Sequence, residues 1–127
     1  MQPMTDRPRL LVVEDDPDDA RTVFRVLRNS GRFEPVHART GSEGLEAARA
    51  SPFVACLVDY RLPDMSGIEV CRRLRALGLQ VPVLVLSSVQ SDEVVERARK
   101  AGATDFLVKH LAFSDRLEET LGRHLAA

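Results

Sequence analysis

The stretch Leu10-Leu11-Val12-Val13-Glu14-Asp15-Asp16-Pro17-Asp18-Asp19 decides how the rest of the chain is read. Four consecutive apolar residues, two of them β-branched, have the pattern of a strand covered on both faces. They stop abruptly at a segment with five carboxylates in six residues. Pro17 suits the first turn of a helix, where its missing N–H goes unused in any case. Strand, acidic turn and helix follow without a spacer, as in a βα unit.

Working outward, the same arrangement recurs. The apolar run 54–58 meets Asp59, Val83-Leu84-Val85-Leu86 meets Ser87-Ser88, and Phe106-Leu107-Val108 meets Lys109. Residues 33–38 form a weaker, more polar run that suits an edge strand. Between these runs lie helical patterns. Val23, Phe24 and Leu27 give one inner face from Pro17 to about Arg28, stopped by Asn29-Ser30-Gly31. Thr40 with Glu43, and Ser66 with Glu69, are capping-box pairs opening the next two helices. Ser91 or Asp92 caps a fourth through Val94, Val95 and Ala98, ended at Gly102. Ser114 is expected to cap the last, with Leu117, Leu121 and Leu125 at four-residue spacing. Five βα units imply a parallel sheet with right-handed crossovers, an α/β three-layer sandwich. All the polar strand ends then fall on one sheet edge, where sites form in open α/β sheets.

Composition narrows the function. With 127 residues, 44% hydrophobic and 29% charged, the chain suits one globular domain. Its net charge of −1 argues against general nucleic-acid binding, which needs a basic excess. No apolar run reaches membrane-spanning length, and the first residues lack the core of a signal peptide, so a cytoplasmic protein is expected. Residues 1–8 read as a short leader and 9–127 as the domain. Cys56 and Cys71 belong to no CxxC or Cys/His cluster and read as buried, reduced thiols.

The strand-end residues have a shared chemistry. Clustered carboxylates repel one another, and a divalent cation relieves that cost. Mg²⁺ takes one or two carboxylates and keeps several waters. Acidic residues also favour a helix N-terminus, which suffices to explain Asp18 and Asp19 as solvent-facing. It explains Glu14 and Asp15, next to the strand, less well. A lone carboxylate at Asp59 would be costly to bury, but becomes tolerable beside a metal and Lys109. Carboxylates can attack phosphoryl groups, with Lys109 as a point charge for their oxygens and Ser87 as a hydroxyl donor.

Taken together these motifs resemble the receiver domain of bacterial two-component response regulators, from roughly Arg9 to Leu125. The resemblance implies a flavodoxin-like (βα)5 fold with strand order 2-1-3-4-5. It implies Asp15 as the direct Mg²⁺ ligand, with Mn²⁺ a substitute, and Glu14 acting mainly through water. Asp16 is a second candidate in the run of three acids. It implies Asp59 as phosphoacceptor, the backbone carbonyl of Arg61 as a further metal ligand, Ser87 as the switch hydroxyl and Phe106 as the switch aromatic. A sensor histidine kinase or histidine phosphotransfer protein would donate the phosphoryl group. A downstream protein, or a second copy of the chain, would bind at the fourth helix, fifth strand and fifth helix. Val95 and Arg99 are candidates there, though Val95 could equally face the core.

Two features depart from the family pattern. His110 follows Lys109 where proline is usual, so that bond should be trans and the next loop should take another path. Phe106 lacks a hydroxyl, so any rotamer switch works by packing. A receiver-like interaction module that is not phosphorylated is the alternative. A dehalogenase-type phosphatase would want an aspartate where Arg61 stands, and a flavodoxin would not place carboxylates against a phosphate.

Overall fold

The computed structural model describes residues 7–110 and 112–125. Most of the expected leader lies outside them. Five strands and five helices alternate: β1 Arg9–Val13, α1 Pro17–Ser30, β2 Glu34–Ala38, α2 Gly41–Ala50, β3 Ala55–Asp59, α3 Gly67–Ala76, β4 Val83–Ser87, α4 Asp92–Lys100, β5 Asp105–Val108 and α5 Phe113–His124. The strands form one parallel sheet in the order β2-β1-β3-β4-β5. The polar run expected near an edge is indeed an edge strand.

Side chains alternate across the sheet and build a core on each face. Leu10, Val12, Leu57, Leu84 and Leu86 point toward α1 and α5, where Val23, Leu27, Leu117 and Leu121 meet them. Leu11, Val13, Cys56, Val58 and Val83 point the other way, onto Leu45, Val70, Cys71 and Leu74 of α2 and α3. Every residue of β3 and β4 is buried, which is why those runs are apolar without alternation. Both cysteines are free and buried, and burial pushes the Cys56 thiol up to about 12.

The caps follow the sequence with instructive exceptions. Thr40 Oγ1 accepts the Glu43 N–H at 3.0 Å and Ser66 Oγ accepts that of Glu69 at 3.1 Å. The reciprocal half of each box is diverted. Glu43 takes the Arg39 N–H, and Glu69 pairs with Arg72 and Arg73. Of the two candidates for α4, Ser91 is the cap. The expectation for α5 is corrected: Ser114 lies inside the helix, and Ala112, with φ 68° and no side-chain cap, occupies the position before it. Phe113 is already helical and its N–H donates to His110 O at 2.9 Å, so the helix begins one residue too early for Ser114 to cap it.

Candidate phosphoryl-transfer and metal site

The C-terminal ends of β1, β3, β4 and β5 meet at one edge, and their polar residues line a basin of about 410 Å³. At its centre is Lys109, which follows β5 directly. Its backbone N–H donates to the carbonyl of Ser87 at 2.7 Å, prolonging the ladder with β4 by one step. The stem is therefore held by the sheet, and the side chain is only 11% exposed. Nζ donates to Asp59 Oδ1 at 2.5 Å, Glu14 Oε1 at 2.6 Å and Asp19 Oδ2 at 2.9 Å.

Glu14 comes straight off β1 and is buried. Its backbone is fixed from two sides: its N–H donates to Ala38 O at 2.9 Å, and its carbonyl accepts from His37 Nε2 at 2.7 Å. Burial raises its pKa to about 7, against the opposing pull of Lys109. Asp59 is also buried, and burial likewise raises its pKa against Lys109 and the Arg61 N–H, which donates to Oδ2 at 3.1 Å. Burial would lower the pKa of Lys109, but the hydrogen bonds it donates to Asp59, Glu14 and Asp19 outweigh it and hold the amine above the ordinary lysine range. One oxygen each from Glu14, Asp15 and Asp59 lie within 4.8 Å of one another. Three hard oxygen donors on one wall of an open basin suit Mg²⁺, which retains water on its other side.

Several sequence expectations are refined here. Asp16 stands outside the three-carboxylate cluster; its Oδ1 caps α1 by accepting from Asp18 and Asp19 N–H at 2.8 and 3.1 Å. Asp19 is only half-exposed, not fully solvent-facing as expected: its carboxylate is turned to Lys109 Nζ. The first helical turn swings it back over the strand ends to Lys109. Asp18 does face outward and pairs with Arg21 at 3.1 Å. Ser87 is buried, and its hydroxyl lies 3.0 Å from both the carbonyl and the N–H of Val89, while Ser88 lines the basin. Arg61 lines the basin too, with its guanidinium over the ring of Tyr60. Phe106 packs with Tyr60, Val94 and Ala103 around Ile68, Val85 and Ala98. Val95 resolves to a groove of about 250 Å³ that it lines with Phe106, Arg99 and Arg116. The Lys109–His110 bond is not cis, and Lys109 reaches Asp59 without a following proline.

Two residues not singled out from sequence support the basin. Asp64 accepts the Gly41 and Ser42 N–H groups at 2.8 and 2.9 Å, tying the loop after β3 to the start of α2. Gly67 lies so close to the end of β3 that its N–H reaches Tyr60 O at 2.7 Å. Ser66 and Glu69 marked the helix start in the sequence, but the tight approach of Gly67 depends on the crossover geometry.

Comparison with known proteins agrees with this arrangement. The family model for the response regulator receiver domain matches residues 10–121. The transcriptional regulatory protein ZraR of Salmonella typhimurium is 37% identical over 117 residues, which are 92% of this chain and 26% of that protein. The transcriptional regulatory protein PrrA of Mycobacterium tuberculosis is 39% identical over 108 residues, 85% of this chain and 46% of its own length. The chain thus spans between a quarter and a half of these two relatives. Among solved structures, a Vibrio cholerae chemotaxis protein superposes with a TM-score of 0.85 at 28% identity, covering 93% of this chain and 98% of that one. A receiver domain protein from Methanospirillum hungatei gives 0.84 at 26% identity, covering 95% and 96%. With the strand order, the carboxylate–lysine basin and the family match in agreement, the chain belongs to the response regulator receiver domains of two-component systems.

Proposed function

We propose that this receiver takes a phosphoryl group on Asp59 and works as a switch. The observation that carries the reading is the 2.5 Å contact between Asp59 Oδ1 and Lys109 Nζ beside Glu14 and Asp15. An Asp59 carboxylate oxygen attacks phosphorus. The new O–P bond forms as the donor's bond breaks, and that electron pair leaves with a histidine of a kinase or phosphotransfer protein, or with acetate from acetyl phosphate. Mg²⁺, held by Glu14, Asp15, Asp59 and the Arg61 carbonyl, would supply charge neutralisation for the phosphoryl oxygens. Lys109 contributes a fixed positive charge beside Asp59 and Glu14. Ser87 gives up its contact with Val89 to meet the phosphoryl group, and Phe106 repacks toward β4. The surface of α4, β5 and α5 then changes its affinity for a downstream protein or a second copy of the chain.

Intact mass after incubation with acetyl phosphate and Mg²⁺ tests this. One added phosphoryl group is expected on the wild type, and none on Asp59→Asn or without metal. If beryllofluoride also fails to bind, the reading is overturned, and a receiver that works by protein contact alone takes its place.

A further inference from the structure

The ammonium of Lys109 has three hydrogens, and three carboxylates take them. Glu14 and Asp59 are accounted for by the proposed chemistry. Asp19 is not. It belongs to a helix rather than a strand end, it is 43% exposed, and it stands outside the three-oxygen cluster. The helix dipole does not explain its direction, because Asp18 lies in the same turn and is turned outward to Arg21. Two adjacent aspartates with the same backbone cap point to different partners. The one aimed inward adds a negative charge to a basin that must admit a negatively charged donor.

We propose that Asp19 is a positioning residue for phosphoryl transfer: it anchors Lys109 and, through its charge, slows phosphoryl entry while strengthening the hold on the divalent cation. The inference rests on the reading of Asp59 as phosphoacceptor. Glu14, Asp15, Asp16, Asp19 and Asp59 against Arg61 and Lys109 give the ionised basin three excess negative charges. Asparagine at position 19 keeps an oxygen that can accept from Nζ and removes one of those charges. Once Asp59 is phosphorylated, its own bond to Lys109 can pass to a phosphoryl oxygen. Glu14 and Asp19 then remain as the two anchors that aim the amine. In the resting state the same anchors share its charge, so less of it faces an incoming phosphoryl group. A cation feels the opposite effect, since a better-neutralised lysine repels it less.

The test compares wild type with Asp19→Asn, Asp19→Glu and Asp18→Asn. Acetyl phosphate labelling is timed by intact mass at saturating Mg²⁺. Mg²⁺ alone is titrated separately by the fluorescence of Tyr60, the one tyrosine in a chain without tryptophan and the neighbour of Asp59. Asp19→Asn should label about 3–10-fold faster and bind Mg²⁺ about 3–10-fold more weakly, as expected for one like charge a few ångströms away. Asp19→Glu should stay close to wild type in both. Asp18→Asn removes the same net charge at a solvent-screened site and should stay within about twofold. Asp19→Asn matching Asp18→Asn in both measurements overturns the proposal. So does slower labelling with unchanged Mg²⁺ affinity, which is the signature of a purely mechanical anchor. If the wild type takes no phosphoryl group, the phosphoacceptor reading fails and the Mg²⁺ titration alone decides on Asp19, with equal affinities counting against it.

Discussion

Glu14 is where burial and charge oppose each other most directly. Its folded-state pKa is raised from 4.5 to about 7 by desolvation. A group shifted upward in the folded state stabilises the fold fully below its unfolded value, and that contribution is lost as pH rises through the folded one. The metal-free protein should therefore lose stability between about pH 5 and pH 8, with Asp59 adding in the same direction. In the proposed site Mg²⁺ would take the ionised carboxylate, so its stabilising effect should grow over that window. Thermal melts at pH 6 and pH 8, with and without Mg²⁺, check this; an equal Mg²⁺ increment at both would remove Glu14 from the metal site. Lys109→Met strands Glu14 and Asp59 without their cation, and at pH 8 it should cost roughly 3–5 kcal/mol. The loss should shrink at pH 5, where Glu14 protonates, and urea unfolding at the two pH values would reveal it. These central residues were legible in the sequence because each ends an apolar run, and a charge at such a place needs a partner. Asp19 was not legible. It lies 90 positions from Lys109, and a side chain in the first turn of a helix points to solvent or sheet depending on how that helix lands.

The elements were legible in proportion to how far a single local rule governed them. β1, β3 and β4 are buried on both faces and read as unbroken apolar runs, and β2 betrayed its edge position by its polar pattern. The start of α5 misled because Ser114 is a good cap in isolation, whereas the helix begins one residue earlier, at Phe113, whose N–H reaches back to His110 O. Ala112 takes a left-handed conformation there. A Cβ in that region costs about 1–2 kcal/mol, so Ala112→Gly should stabilise the fold by up to about 1 kcal/mol after the glycine's greater unfolded-state freedom is subtracted. A lower melting temperature for that variant would show that the turn relaxes differently. Gly67 carries the opposite expectation. A Cβ there would overlap the carbonyl oxygen of Asp59 and stand 3.1 Å from Tyr60 Cα, both backbone atoms that cannot swing aside. Gly67→Ala should therefore cost on the order of 1–3 kcal/mol by forcing α3 away from β3. Because that shift passes through Asp59, Mg²⁺ affinity should fall with it, whereas a change at Gly122, which has open space around it, should leave the basin intact.

At the scale of the whole molecule, burial is shared unevenly, and the uneven part lies beside the proposed switch residues. α1 buries Ala20, Val23, Val26 and Leu27, and α3 buries five residues from Gly67 to Leu74. α4 buries Ala98 alone. Val94 and Val95 are only half-covered, and the groove along Val95, Phe106 and Arg116 leaves room on one side of the helix. Few buried apolar contacts mean a low free energy of local opening, while the central strands open only with the whole fold. Amide hydrogen exchange should thus find α4 the fastest of the five helices and β3 and β4 the slowest elements. The same weakness makes α4 the element that a change at Ser87 can move at least cost, because Val89, which holds the Ser87 hydroxyl, leads directly into it. Beryllofluoride with Mg²⁺ should then alter exchange in α4 and the loop before it more than in α1 or α2. If α4 proves as protected as α3, or if the response stays within the acidic basin, the coupling from Asp59 to the α4–β5–α5 surface runs by some other element.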